Sequence, residues 1–153
     1  MQSRDPDWLQ DYVHPYIGGE GAPTSKVGGG VRTYLDAENL WPELHSRSEA
    51  LVTAFASESL DAIIRANQGH RELFEPAPFY PQKIYKLLAS LPDFDRSWSF
   101  KTTGAGGEDA ILLLGLKSSL TEADQALKQR GWKPLPHTFT AHGTRITWKD
   151  LGT

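Results

Sequence analysis

The sequence predicts an α+β domain, with N-terminal helices packed on a small, mainly antiparallel sheet in a C-terminal β-β-α-β-β arrangement. Three observations carry this expectation. Apolar residues recur at helical spacing between residues 42 and 91. Beyond residue 98 the pattern changes to the short alternating and continuous apolar runs of strands. Gly, Pro and Ser-x-x-Glu signals punctuate the boundaries. The chain has 153 residues, the usual size of one domain, and needs no disulfide or metal to hold a core of that size.

Residues 1–30 differ from the rest. Asp7-Trp-Leu-Gln-Asp-Tyr-Val supports a turn or two of amphipathic helix. Between Gly18 and Gly30 six glycines and a proline follow, and such a stretch forms regular structure only at high entropic cost. The expected division is therefore a Gly-rich N-terminal arm over 1–30 and one α+β domain over 31–153. The glycines lack the spacing of a phosphate-binding loop.

Val31-Arg-Thr-Tyr-Leu35 reads as a short strand. Pro42 suits a helix start, and Ser46-Arg-Ser-Glu49 reads as a capping box. The helix after it carries Val52, Ala56, Leu60, Ile63 and Ile64 on one stripe, with Gly69 as its expected stop. Glu75-Pro-Ala-Pro-Phe-Tyr-Pro81 is a stiff connector into a helix lined by Ile84, Leu87, Leu88 and Leu91 and ended by Pro92. Trp98-Ser-Phe-Lys-Thr alternates as a strand does. Ala110-Ile-Leu-Leu-Leu-Gly-Leu116 reads as a central buried strand. Ser119-Leu-Thr-Glu122 reads as a second capping box, opening a helix with Leu120, Ala123 and Leu127 inward and closed by Gly131. Residues 132–141 and 144–149 read as two strands around the turn His142-Gly143.

Composition narrows the function classes. A net charge of −3, with no Lys or Arg run longer than a pair, argues against nucleic acid as the main partner. The absence of cysteine removes thiolate metal sites and cysteine nucleophiles. No apolar stretch reaches the length of a membrane span, the start is polar, and cytoplasmic residence is expected. No G-x-S-x-G or H-E-x-x-H is present.

Two short motifs resemble those of known families. Arg65-Ala-Asn-Gln-Gly-His70 has the R-x4-H spacing of HEPN-type ribonucleases, whose Arg and His act together on a scissile phosphate. The resemblance covers six residues, and Ala66 and Gly69 depart from the pattern. The preferred reading is a solvated helix C-terminus, whose dipole favours cations. Tyr34-Leu-Asp-Ala-Glu-Asn-Leu40 is similar to the opening strand of NYN-type metal-dependent nucleases, which implies Mg2+ near Asp36. Those folds are parallel, whereas the C-terminal half here reads as hairpins, so Asp36 is read instead as a helix N-cap.

The leading functional expectation is a non-enzymatic module that binds another protein or copies of itself, without a cofactor. It would be an inhibitor or immunity-type protein, or a small structural subunit of a larger assembly such as a phage particle. Its expected contact residues are the aromatic and apolar anchors Trp8, Tyr12, Tyr16, Ile17 and Trp41, since Trp and Tyr dominate interface hot spots. One alternative is a small metal-dependent nuclease or phosphohydrolase using Asp36, Glu38, Asp109, His137 and His142. Another is a small-molecule binder with an aromatic-lined pocket.

Overall fold

The computed structural model describes residues 7–18, 24–103 and 110–136. Six helices and four strands lie along them. Helix α1 (Asp7–Tyr12) runs directly into strand β1 (Val13–Ile17). Four helices follow: α2 (Thr24–Ala37), α3 (Trp41–Ser57), α4 (Leu60–Phe74) and α5 (Gln82–Ala89). Then come β2 (Trp98–Thr102), β3 (Ala110–Gly115), a 3-10 turn, α6 (Thr121–Gln129) and β4 (Lys133–Pro134). The protein is α+β, as expected, and its sheet is antiparallel with order β2-β3-β1-β4. The second expected strand of the terminal hairpin, 144–149, lies outside the described residues.

The largest correction concerns the arm. Residues 13–17 are not a tether but an interior strand. Val13 pairs with Leu114 and Tyr16 with Ile111 on one side, and Tyr16 pairs with Pro134 on the other. The boundary expected at residue 30 falls inside α2. The strand Val-His-Pro-Tyr-Ile was hidden by Pro15, since proline is rare within sheets. Here Pro15 lies opposite β4, gives up one ladder bond there, and still accepts a hydrogen bond from the Leu135 N–H at 2.9 Å.

Strands β1 and β2 are each antiparallel to β3, so they run parallel with β3 between them. Strands β3 and β4 are likewise parallel with β1 between them. This is the β-α-β-β-α-β connectivity of ferredoxin-like sheets, with four helices in the first crossover. Both faces are covered. On one, Phe100, Ile111, Leu113 and Tyr16 meet Leu88 of α5 and Leu127 of α6. On the other, Val13 and Leu114 meet Ala54 and Ile63 of α3 and α4, with Trp8, Leu9 and Tyr12 of α1 beside them. A strand buried on both faces reads as a continuous apolar run, which explains Ala-Ile-Leu-Leu-Leu.

Several helix boundaries differ from expectation. Val31–Leu35 belongs to α2, not to a strand. That helix closes in a Schellman motif: the Leu40 N–H reaches the Leu35 carbonyl, the Asn39 N–H reaches Asp36, and Asn39 takes the left-handed conformation at φ 55°. Ser46–Glu49 lies within α3, because Pro42 in the first turn has already opened it. The stripe read as one helix is two. Glu58 is left-handed at φ 58°, and the Ser59 hydroxyl caps α4 by accepting from the Ala62 N–H. The break turns Val52 out to 70% exposure. Helix α4 passes through Gly69 and ends at Phe74, because Arg71 and Leu73 beyond the glycine are buried. Leu120, not Ser119, precedes α6, and no side chain caps that helix. Gly131 does close it: at φ 83° it lets its own N–H reach Lys128 and that of Trp132 reach Leu127.

Candidate functional site

Two places concentrate polar groups against apolar walls. The first is a cleft of about 640 Å³ between β1, β4 and the start of α6. Its apolar wall is Pro15, Leu120, Pro134, Leu135 and Pro136, and its polar groups include His14, Tyr16, Lys117, Thr121 and Asp124. The split connectivity builds it, because α6 crosses the sheet between β3 and β4 and leaves its first turn opposite β1.

Most of those polar groups are already engaged. The Tyr16 hydroxyl donates to Asp124 Oδ1 at 2.5 Å, and Lys128 Nζ lies 3.0 Å from Asp124 Oδ2. Burial works against the Asp124 carboxylate, but the Tyr16 hydrogen bond and the Lys128 ammonium outweigh it and hold its pKa below the ordinary value. Tyr16 moves the opposite way. Burial first, then the Asp124 carboxylate, push its hydroxyl well above the usual phenol range. His14 is buried, with Nε2 at 3.0 Å from the carbonyl oxygens of both Asp11 and Gly115. A nitrogen facing two acceptors carries the proton and donates. Lys117 on the rim has no ion-pair partner among the described residues.

The second place surrounds Arg71 on α4, which is 6% exposed. Its guanidinium pairs with Asp95 through both terminal nitrogens, with Glu75 Oε1 at 3.0 Å and with the Ser99 hydroxyl at 3.1 Å. It also lies against the rings of Phe94, Tyr85 and Phe100, at 4.9, 5.6 and 5.9 Å. Asn67 donates to the Ser99 hydroxyl and to the Phe100 carbonyl at 2.7 Å. These contacts dock α4 on the edge strand β2. The adjoining recess is about 20 Å³, on the order of one water's space. The cluster is a structural clamp.

Both sheet edges are blunted toward strand addition where they are described. At β2, Asn67 occupies the outward Phe100 carbonyl and Lys101 Nζ lies 3.2 Å from that of Thr102. At β4, the Leu135 N–H points in to Pro15, so the alternate residues Pro134 and Pro136 face outward, where they offer no N–H.

The expected contact residues divide. Tyr16 is buried in the core at 6% exposure and has no free area for a partner. Trp8 is half-buried, its ring centroid 6.0 Å from Tyr12 and 6.2 Å from Phe55, where it joins α1 to α3. Ile17 and Trp41 are exposed, at 45% and 47%. Asp36 is not an N-cap. It sits in the last turn of α2 and accepts from the Trp41 indole N–H at 2.7 Å. Asp109, His137 and His142 lie outside the described residues. Among those described, no group of three or more His, Asp or Glu is placed to hold a metal ion. Arg65 is exposed, whereas His70 is half-buried with its ring centroid 5.4 Å from that of Phe74, so the two members of the R-x4-H pair stand in different surroundings. Residues missed in the sequence, Lys117, Asp124 and His14, carry no linear signal: Tyr16 and Asp124 meet across 108 positions.

No protein-family model, no curated protein and no solved structure matches this chain.

Proposed function

We propose that this chain is a non-enzymatic protein-binding module of the cytoplasm, an inhibitor or a small assembly subunit, which takes a segment of its partner into the cleft between β1, β4 and α6. The cleft is the observation that carries this reading. Its wall is proline and leucine, its Tyr16 hydroxyl is bonded to Asp124, and its His14 ring is held by two backbone carbonyls. Such a surface suits recognition: among the described residues its lining carries one carboxylate, Asp124, and not a pair with pKa values split for acid and base work. The blunted edges at β2 and β4 favour side-chain recognition in a cleft over added-strand pairing.

The test is a photo-reactive residue placed at position 117 or 135 in the producing cell, with position 52 on α3 as control. The reading expects one adduct of defined mass from the cleft positions, absent at 52 and lost with Leu135→Asp. Equal adducts at all three positions, or none, would overturn it. Light scattering then sorts the two forms: a free mass of 17.0 kDa belongs to an inhibitor, and a defined multiple belongs to an assembly subunit.

The volume of the same cleft also favours a second reading, since small-molecule sites span about 300–1,000 Å³. A ligand at a hundredfold excess over its dissociation constant would stabilise the fold by about 3 kcal/mol, visible in a thermal-shift screen.

A further inference from the structure

We infer that the partner segment taken by the cleft is apolar and carries one carboxylate, which pairs with Lys117. The inference rests on the protein-binding reading above and names the chemistry of the partner.

The argument is one of charge complementarity. Among the described residues, three charged side chains stand in or against the cleft: Lys117, Asp124 and Lys128. Asp124 is taken up by the Tyr16 hydroxyl and the Lys128 ammonium. A cation brought by a partner would have to displace Lys128 from a carboxylate that is already satisfied. The His14 Nε2–H is committed to two backbone carbonyls. Among the described residues Lys117 is the charge left to address a ligand, and it stands beside an apolar wall of Leu120, Leu135 and three prolines. Among the described residues, two lysines stand against one aspartate at the cleft, a positive local balance on a chain whose net charge is −3. A basic segment meets Lys117 as a like charge, which works against wrong partners. An acidic one is steered in, and its apolar side chains replace water over the proline–leucine wall.

Selection from a random peptide library displayed on phage tests this on the whole protein. Lys117→Glu, an exposed substitution that leaves the core untouched, is selected in parallel. Leu135→Asp serves to locate binding in the cleft. The expected result is peptides with apolar residues around an Asp or Glu. Their affinity should fall about threefold or more with Lys117→Glu, the scale of an exposed ion pair, and should fall as salt rises. Lys117→Glu should itself enrich peptides bearing Lys or Arg. Peptides that need Leu135 but show no acid preference would overturn this inference and leave the cleft as a protein-binding site. Peptides indifferent to both substitutions, or no enrichment at all, would overturn the inference and count against the cleft itself.

Discussion

Asp95 shows how much one residue can carry. It holds the buried Arg71 through two nitrogens and also accepts from the Ser99 hydroxyl at 2.7 Å. Removing one member of a buried pair leaves the other charge uncompensated, which costs more than the pair itself contributes. Asp95 has a left-handed backbone at φ 62°, which Asn also tolerates. Asp95→Asn therefore isolates the charge, and urea denaturation should show a loss of about 3 kcal/mol. Glu75→Gln, at a more exposed partner, should cost under about 1 kcal/mol. His70 reports on acid. Burial, then the charges of Lys101 and Arg47, lower its pKa from 6.5. The unfolded chain takes up this proton first, so the contribution is fully present above pH 6.5. It is lost as pH falls through 6.5 toward the folded-state value. Between about pH 8 and pH 5, the wild type should lose more stability than His70→Gln in paired urea titrations. Equal slopes would place the acid sensitivity elsewhere.

Two glycines in regular elements have opposite roles. Gly69 lies within α4, and a Cβ there would meet nothing within 4 Å. Gly69→Ala should stabilise by about 0.5–1 kcal/mol, because alanine loses less backbone freedom in a helix. Gly115 ends β3 at φ 151°, and a Cβ there would lie 2.9 Å from Trp98 Cβ. Gly115→Ala should cost about 1–3 kcal/mol through backbone strain and the displaced Trp98. Chemical denaturation of the two variants checks both signs at once. The break between α3 and α4 was written in the sequence as Ser57-Glu-Ser59, a cap signal before Leu60. The apolar stripe concealed it, because its spacing continues almost unbroken across the junction.

At the scale of the whole molecule, residues 13–17 supply the strand that joins β3 to β4. Strand β1 is hydrogen-bonded on both sides, and Val13 and Tyr16 are buried in opposite faces of the core. A chain beginning at residue 31 would leave β3 and β4 without the strand that joins them. Truncation there should abolish the cooperative urea transition and the near-ultraviolet circular dichroism of the buried aromatics. A retained transition would mean that β1 is dispensable. The cleft would go with the strand, since Pro15 and Tyr16 form part of its lining.

The sequence by itself determined the α+β class, strands β2 and β3, the inner face of α6 with its glycine stop, and the Pro42 helix start. Each of these is written in neighbouring residues: a period, a cap or a left-handed glycine. Tertiary structure alone decided that Val13–Ile17 is an interior strand, that α4 runs through Gly69, and that Lys117, Asp124 and Tyr16 share a cleft. The physical reason is range. A proline in a strand or a glycine in a helix carries a local cost, and it is offset by contacts from residues far along the chain. Val13 faces Leu114, Arg71 faces Asp95 and Tyr16 faces Asp124, pairings that no local pattern encodes.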